Sequence, residues 1–275
     1  MGNDNKKKFL NALGSFRREN LMKEAVRKAE KLIGADDLKE FVERSSLLFK
    51  HSAECDAVTV SAISRMYILS VNSGDGICTQ LDILTDVLRA MGDVENLGVQ
   101  HFTLNLPDHS IRKLDSEAKT DRDIVLEDIK DMGLLKVDKR RICCIDISGW
   151  IDRIESAEFR AVLARLRDRM YDQFTVFWIP AVDELTLRRV HEAIEWFVNV
   201  DDIYTPPFSV NQYYEYGINK LEKMDVRLDE GAREIFRNCI ISRRTDKNFF
   251  GFNTINNLIN EMIFTTLMEG EQENA

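Results

Sequence analysis

The sequence predicts an α/β protein in which a mostly parallel sheet is sandwiched between helices and followed by a small all-helical region. Three observations support this prediction. Short apolar runs alternate with helical patterns of ten or more residues up to about residue 205. From residue 206 onward only helical patterns remain. Apolar residues make up 44% of the 275 residues, which is enough for a substantial core and excludes a disordered chain.

Four short apolar runs are predicted to form the sheet. The first, at residues 66–71 (MYILSV), ends at a glycine-containing loop, and a helix that closes at Gly92 follows at once. Strand, loop and helix in this order open nucleotide-type α/β units. The other strands are predicted at residues 101–106, 141–147 and 174–179, and the helices of this region at residues 36–48, 121–132 and 156–171.

The region after residue 206 is predicted to be a separate helical lid. Its helices are expected at residues 210–224, 229–242 and 253–268, and the change of pattern coincides with two consecutive prolines. The predicted organisation is a basic amphipathic N-terminal helix at residues 1–31, an α/β domain at residues 32–205, the lid at residues 206–268 and an acidic tail at residues 269–275.

The N-terminal segment differs in charge from the rest of the chain. Residues 1–31 carry nine Lys and Arg against four Asp and Glu, a charge of +5, so the total of −9 leaves −14 for the other residues. Its apolar residues recur at helical spacing, so we expect a helix that docks on the body or pairs with a second chain. Membrane-surface or nucleic-acid binding is the alternative, although +5 is modest for either. The partner-binding candidates are Phe9, Leu13, Phe16, Arg17, Arg18 and Lys23.

Composition excludes several classes of protein. No apolar run approaches the roughly 18 residues that a membrane span needs. The five cysteines lack the spacing of a disulfide framework, which favours the reducing cytoplasm. No CxxC or HxxxH pattern predicts a metal site, and no G-x-S-x-G pattern predicts a serine hydrolase.

Two other patterns are interpreted structurally. Apolar and helical surroundings predict core or interface packing for the tryptophans at positions 150 and 196. The adjacent acids Asp183-Glu184 and Asp201-Asp202 are predicted to mark solvated turns or helix starts rather than catalytic carboxylate pairs.

Four local sequences occur in the order and spacing of one known family. They are Leu32-Ile33-Gly34, residues 71–78 (VNSGDGIC), residues 142–147 (ICCIDI), and residues 204–206 (YTP) with the stretch at residues 243–258. The second aligns with the Walker A pattern G-x-x-G-x-G-K-[ST], and the third looks like the Walker B pattern of apolar residues before Asp-Glu. Over about residues 30–268 the chain resembles the AAA+ ATPase module, and within it the CbxX/CfqX branch, which includes Rubisco activases and sporulation stage V-type ATPases. The resemblance implies a P-loop NTPase-like large subdomain, a helical lid, and a site for ATP or ADP with magnesium.

The residues that would bind phosphates in such a module are replaced. A working Walker A loop needs a Lys to neutralise the β- and γ-phosphates and a Ser or Thr to hold magnesium. The matching positions hold Ile77 and Cys78, and Thr79 follows one residue later. Val71 stands at the first Gly, and Asp75 adds a carboxylate where phosphate oxygens would lie, which repels them.

The residues that would hydrolyse ATP are replaced as well. The Walker B Glu, which polarises the attacking water, corresponds to Ile147, while the metal-supporting Asp146 is kept. By the same resemblance, the sensor-1 residue falls at Pro180-Ala181, the arginine finger around Trp196-Phe197 and the lid arginine at Asn253, and the pore-loop stretch at residues 108–115 lacks an aromatic residue.

We therefore expect a pseudo-ATPase with no catalytic residue and no cofactor, acting as a protein–protein interaction scaffold, adaptor or regulatory subunit. Its partner would be an active AAA+ subunit, a second copy or a client protein. The alternatives are a nucleotide-binding switch or very weak ATPase that holds ATP or ADP with magnesium, and nucleic-acid contact through the basic helix. The vestigial nucleotide site is predicted to comprise Gly34, Gly74, Asp75, Gly76, Ile77, Cys78, Thr79, Asp146, Ile147 and Asn253.

Overall fold

The computed structural model describes residues 2–52, 64–92, 98–104, 141–170 and 173–273. It divides into two compact units. The first comprises Met1–Ser70 and Cys78–Thr205, and the second comprises Val71–Ile77 and Pro206–Ala275. The predicted helix at residues 121–132 and the pore-loop stretch at residues 108–115 lie outside the described residues.

The first unit is built on a five-stranded parallel sheet in the order β2-β3-β4-β1-β5. The strands are β1 (Met66–Ser70), β2 (Val99–Thr103), β3 (Ile142–Asp146), β4 (Thr175–Ile179) and β5 (Asp201–Tyr204). The apolar runs of β1, β3 and β4 are almost entirely buried, as expected for parallel strands covered on both faces. Ser70 of β1 pairs with Ile179 on one side and Tyr204 on the other, so these strands end together at the carboxyl edge, where open α/β sheets place their ligands.

Helices cover both faces of this sheet. They are α1 (Gly2–Glu30), α2 (Asp36–Ser52), α3 (Ile77–Met91), a 3₁₀ helix (Ser148–Arg153), α4 (Ala157–Met170) and α5 (Glu184–Glu195). On one face, Ile68 of β1 shares a core cluster with Val190 and Ile194 of α5. Successive side chains of a strand point to opposite faces. On the other face the ring of Tyr67 therefore meets the ring of Phe41 from α2, at a centroid distance of 5.5 Å.

The C-terminal part of α1 packs on the first unit. Met22, Ala25 and Ala29 are buried, and α1 contacts α2. Lys28 Nζ lies 2.6 Å from Asp86 Oδ2 of α3, which ties the helix to the body. Residues 13–20 are all exposed, and so is Lys23; the side chain of Phe9 lies outside the described residues.

The second unit packs helices α6 (Val210–Lys223), α7 (Glu230–Arg244) and α8 (Gly251–Glu273) around a core of their own. Phe236 of α7 and Ile255 of α8 are fully buried, and both approach Gly217 of α6 so closely that a Cβ there would overlap the Phe236 ring. Ser209 begins α6 with a capping box, since its Oγ accepts from Gln212 N and its own N–H donates to Gln212 Oε1.

The predicted α/β class is confirmed. A P-loop NTPase-like parallel sheet lies between helices, and an all-helical unit follows it in the chain. Strands β1, β3 and β4 lie within the predicted apolar runs, whereas β2 begins at Val99, before the predicted residues 101–106. Helix α8 continues to Glu273, into the residues 269–275 predicted as an acidic tail.

The interpretation of the second acidic pair is wrong. Asp201 and Asp202 belong to β5 rather than to a turn, because an edge strand of the described sheet tolerates polar side chains. Trp150 is fully buried, which confirms core packing at that position, whereas Trp196 is 85% exposed, so interface packing stays a prediction there. Asp183 caps the start of α5 by accepting from Thr186 N, which confirms the interpretation of the first acidic pair.

Candidate functional site

The loop Val71–Ile77 joins β1 to α3 at the predicted Walker A position. Gly74 and Gly76 adopt φ angles of +86° and +92°, which only glycine tolerates without strain. Asp75 N donates to Asn72 O at 3.1 Å and closes a turn within the loop. Val71, at the position of the first Walker A glycine, is fully buried. The backbone therefore forms a tight glycine-containing turn in spite of the departures from the motif.

Asp75 is the buried charged group of this loop, with 4% of its surface exposed. Its Oδ1 accepts a hydrogen bond from Tyr213 Oη at 2.8 Å. Burial raises the pKa of Asp75 above its ordinary value, although Tyr213, Asn72 and the backbone of Phe252 favour the charged form. The carboxylate is therefore held by the second unit's own donors.

The first turn of α8 lies against the same loop. Phe252 N donates to Gly74 O at 3.1 Å, and a Cβ on Gly74 would overlap the carbonyl of Phe250. Gly251 has φ +50°, and a Cβ on it would overlap Asp75 Oδ1 and lie 2.8 Å from the Gly74 backbone. A helix N-terminus attracts anions through its free N–H groups and its dipole. The anionic group at the N-terminus of α8 is the carboxylate of Asp75, whose Oδ1 lies against Gly251.

Aromatic rings hold Tyr213 in the orientation that this contact needs. Its ring meets those of Phe249 and Phe252 edge-on, each at 5.1 Å, and that of Phe208 at 5.9 Å. Burial and the neighbouring Asp75 raise the pKa of Tyr213, so its hydroxyl remains a donor at neutral pH. Tyr213, Gly251 and Phe252 could not be predicted as site residues, because no local pattern connects them to a loop more than 130 residues earlier in the chain.

Cys78 and Thr79 lie in the first turn of α3, and both are exposed. The next residue, Gln80, is buried and accepts at Oε1 a hydrogen bond from Thr205 Oγ1 at 3.2 Å. Burial raises the pKa of the Cys144 thiol in β3 to about 12, and nearby Asp146 and Cys78 add to the shift. Cys144 is therefore protonated at neutral pH, the unreactive form of a buried thiol.

The two positions of the Walker B acids have local structural roles. Asp146 ends β3, and its Oδ1 accepts from Ser148 N at 2.9 Å at the start of the 3₁₀ helix. Ile147 is fully buried in the core cluster together with Trp150, whose Nε1 donates to Leu104 O at 2.8 Å. The position that a water-activating Glu would occupy is thus part of the hydrophobic core.

The other predicted site residues are divided between the units. Gly34, with φ +65°, lies in the turn between α1 and α2, where Asp37 Oδ2 accepts from Tyr204 N at 3.1 Å. Pro180, at the sensor-1 position, accepts at its carbonyl from Ser70 Oγ. Asn253 is exposed in the first turn of α8. The second unit thus brings Gly74, Asp75, Gly76, Ile77 and Asn253 together, whereas Gly34, Cys78, Thr79, Asp146 and Ile147 belong to the first unit.

A second polar cluster, also missed from the sequence, joins α5 to β5. His191 Nδ1 lies 2.9 Å from both carboxylate oxygens of Asp202, and its Nε2 lies 3.6 Å from Glu195 Oε2. Burial by itself would lower the pKa of His191, but the hydrogen bond and charge of Asp202 outweigh burial and raise it above its ordinary value of 6.5. Among the described residues, no three metal-ligating side chains converge as a metal site.

The contact between His191 and Asp202 is expected to make the free energy of unfolding depend on pH. Because the folded pKa of His191 is raised, its stabilising contribution is complete below pH 6.5 and is lost as the pH rises through the folded pKa. The free energy of unfolding should therefore fall slightly between pH 6 and 8, by less than about 1 kcal/mol for a partly exposed pair. Urea denaturation at both pH values measures it. In a His191→Gln variant this difference should become smaller, and an undiminished difference would contradict the assignment.

No family model and no curated protein sequence matches the chain. Among the solved structures, a Thermotoga maritima RuvB variant is 14% identical over 71% of this chain and 54% of that chain, with a TM-score of 0.39. A DNA replication initiation factor is 10% identical over 90% and 67%, with a TM-score of 0.43. Domain III of the Thermotoga maritima replication initiation protein DnaA is 12% identical over 86% and 90%, with a TM-score of 0.41.

These likenesses are distant. The chain spans about half the length of the RuvB chain that it matches. With TM-scores below 0.5 the likenesses assign neither a family nor a function, and the fold class rests on the strand order and connectivity given above. Within the described residues, every helix is too short or too polar to cross a membrane.

Proposed function

We propose that the chain is a catalytically inactive AAA+-like protein, a pseudo-ATPase that works by binding other proteins. The observation that carries the proposal is the position of Asp75, which is buried in the loop after β1 and hydrogen-bonded to Tyr213, while the N–H of Phe252 donates to Gly74 O of the same loop. A phosphate-binding loop presents free backbone N–H groups to the nucleotide. Here the loop is packed against α8 and filled by a carboxylate of the chain itself.

Electrostatics support this proposal. Two unit negative charges 4 Å apart repel each other by about 4 kcal/mol at the effective dielectric constant of about 20 that is typical near a protein surface. The attraction of a helix N-terminus for an anion is only about 0.3–2 kcal/mol, so it does not offset that repulsion. Ile77 and Cys78 stand at the Walker A Lys and Ser/Thr positions. The loop therefore lacks both the cation and the metal ligand that could offset the repulsion between Asp75 and a phosphate.

Hydrolysis would meet a further obstacle. Asp146 accepts the hydrogen bond that starts the 3₁₀ helix, and Ile147 is buried in the core. No carboxylate therefore follows Asp146 to activate water, which is the role of the Walker B Glu. The residues that would position the nucleotide, neutralise its charge and activate water are all replaced. We therefore infer a scaffold, adaptor or regulatory subunit rather than a slow enzyme.

The proposed partner is a protein: an active AAA+ subunit, a second copy of the chain or a client protein. Several large apolar side chains on the described surface support a binding role, since Phe16, Leu185 and Trp196 are each more than 60% exposed. Four described cysteines are free, which suits a reducing compartment and hence a cytoplasmic protein.

A nucleotide-binding switch is the second candidate function. The φ angles of Gly74 and Gly76 favour it, because a loop with left-handed glycines before a helix can turn backbone N–H groups toward an anion. Thr79 is exposed in the first turn of α3, where a shifted loop could present it to magnesium. In this alternative Gly34, Gly74, Gly76, Thr79 and Asp146 hold ATP or ADP weakly.

Calorimetric titration distinguishes the two functions. ATP and ADP, each with and without magnesium, are titrated into the full chain. The pseudo-ATPase proposal predicts no binding heat at hundreds of micromolar ligand, because phosphate would have to displace Asp75 without gaining a lysine or a metal ligand. A micromolar dissociation constant, equivalent to about −8 kcal/mol, would overturn it in favour of the switch.

A further inference from the structure

Helix α1 carries apolar residues on two opposite faces. Nine residues separate Leu13 from Met22, and nine also separate Phe16 from Ala25. At 3.6 residues per turn, nine residues are two and a half turns, so the members of each pair lie on opposite sides of the helix. Met22 and Ala25 are buried against the first unit, whereas Leu13 and Phe16 are 54% and 62% exposed. The outer face, defined by Leu13 and Phe16, therefore points away from the body that α1 packs on.

A second exposed apolar surface lies on α5. Leu185 lies in the first turn of α5 and Trp196 directly follows its last residue, with helical backbone angles; they are 70% and 85% exposed. The eleven residues between them, just over three helical turns, place both on the same side of the helix axis. Beside Trp196 is a cavity of about 270 Å³, lined by Glu155, Arg160, Arg189, Glu192, Ala193 and Trp196. We call Leu185, Trp196 and this cavity the α5 face. Its volume is sufficient for one aromatic side chain.

The outer face of α1 cannot reach the α5 face of the same chain. α1 packs on α2, and Phe41 of α2 contacts Tyr67 on one side of the sheet. α5 packs through Val190 and Ile194 on the side to which Ile68 points. Since Tyr67 and Ile68 are consecutive residues of β1, the two helices lie on opposite faces of the sheet. A contact between the two surfaces must therefore join different molecules.

The charges of the two surfaces are complementary. Residues 13–23 carry Arg17, Arg18 and Lys23 against Glu19, a net charge of +2. Residues 183–195 carry four acids, at positions 183, 184, 192 and 195, against two arginines, a net charge of −2 that becomes −1 when His191 is protonated. Two α1 helices would repel each other, whereas α1 and α5 attract.

From this geometry we propose that the outer face of α1 docks on the α5 face of a second copy of the chain, with Phe16 in the cavity beside Trp196. The contact joins different surfaces of the two copies and is heterologous, so it repeats from copy to copy until a ring closes or a filament grows. This inference rests on the proposed function in one respect: it names the protein partner of the scaffold. It does not involve the nucleotide loop.

Light scattering on the full chain during size-exclusion chromatography tests the proposal. At 50 mM salt and about 50 µM protein, the wild type should exceed the monomer mass of 31.8 kDa, and 500 mM salt should reduce its mass. Phe16→Asp and Trp196→Asp should each be monomeric, because losing a central aromatic contact weakens association roughly 30-fold or more. The matched control Phe264→Asp, which changes a 66% exposed residue of α8, should retain the wild-type mass.

Mixing the two defective variants gives the decisive result. A heterologous contact predicts that Phe16→Asp and Trp196→Asp form a 1:1 dimer and nothing larger, because one intact junction remains between them. A monomeric wild type at 50 µM, wild-type mass in either single variant, or no dimer in the mixture would each overturn the proposal. If the monomeric wild type instead bound phosphatidylserine-containing vesicles through Phe16, the outer face would be a membrane contact. None of these outcomes alters the calorimetric prediction for ATP.

Discussion

Replacing Gly251 with alanine is expected to destabilise the second unit by about 3 kcal/mol. Gly251 has φ +50°, a left-handed conformation that costs an L-residue about 1–2 kcal/mol. The added Cβ would also overlap Asp75 Oδ1 and approach the Gly74 backbone to 2.8 Å. Backbone atoms cannot rotate away, so either the loop or α8 must move. Urea denaturation measures the loss, and hydrogen exchange of residues 206–266 localises it to the second unit.

Gly231→Ala is the matched control for this variant. Gly231 lies in the first turn of α7, in the same unit, and a Cβ there would meet only Asp229 Oδ1 at an ordinary 3.6 Å. Alanine has a higher helix propensity than glycine, so the control should be unchanged or stabilised by up to about 1 kcal/mol. If both variants lost the same free energy, the loop–helix contact would not be the cause.

The second large effect is expected from the pair Asp75 and Tyr213. Asp75→Ala leaves the buried Tyr213 hydroxyl without its acceptor and should cost about 1–3 kcal/mol of unfolding free energy. Tyr213→Phe removes the donor from a buried carboxylate and should cost a similar amount. Because both changes break the same hydrogen bond, the double variant should lose less than the sum, with a coupling energy of about 1–2 kcal/mol. Strictly additive losses would contradict a direct interaction.

Asp75→Asn is the control for the charge. Its side chain keeps an acceptor oxygen for Tyr213 and is neutral. Because the folded pKa of Asp75 is raised, its contribution to stability is complete below pH 3.8 and is lost as the pH rises through the folded value. The unfolding free energy of Asp75→Asn, relative to that of the wild type, should therefore increase between pH 4 and 7. A relative decrease over this interval would mean that the second unit prefers the charged carboxylate.

Strands β1, β3 and β4 could be predicted because each is a continuous apolar run, as strands buried on both faces must be. β5 was missed for the opposite reason. It begins with Asp201 and Asp202 and lies at an edge, so its sequence lacks the apolar signal, and Asp202 is stabilised by His191 from α5. A partner in another element cannot be inferred from a local pattern.

The candidate site also has a part that the sequence predicts and a part that it does not. The replaced positions Ile77, Cys78 and Ile147 could be identified because the motif spacing fixes them. The contacts of the loop with Tyr213 of α6 and Phe252 of α8 could not be predicted, since both helices lie far along the chain. Phe252 also donates through its backbone N–H, to Gly74 O, and no sequence pattern reveals such a bond.

The N-terminal helix shows the limit of periodicity. The spacing of its apolar residues predicts a helix throughout, and each half does follow a helical pattern. The half-turn offset between Phe16 and Ala25 means that one half is buried and the other is exposed. Each half keeps its apolar residues three and four positions apart, although the two halves place them on opposite faces of the helix. The sequence spacing therefore does not show the change of face, whereas the burial of individual side chains does.

The central claim is that the loop after β1 binds the chain's own carboxylate and α8 instead of a nucleotide. Amide hydrogen exchange of the full chain, with and without millimolar ATP and magnesium, tests it at the site. The account predicts unchanged exchange in peptides that contain residues 71–77 and 250–254, because these backbone groups already contact each other. Slower exchange in both segments on adding ATP would show that a nucleotide occupies the loop and would contradict the account.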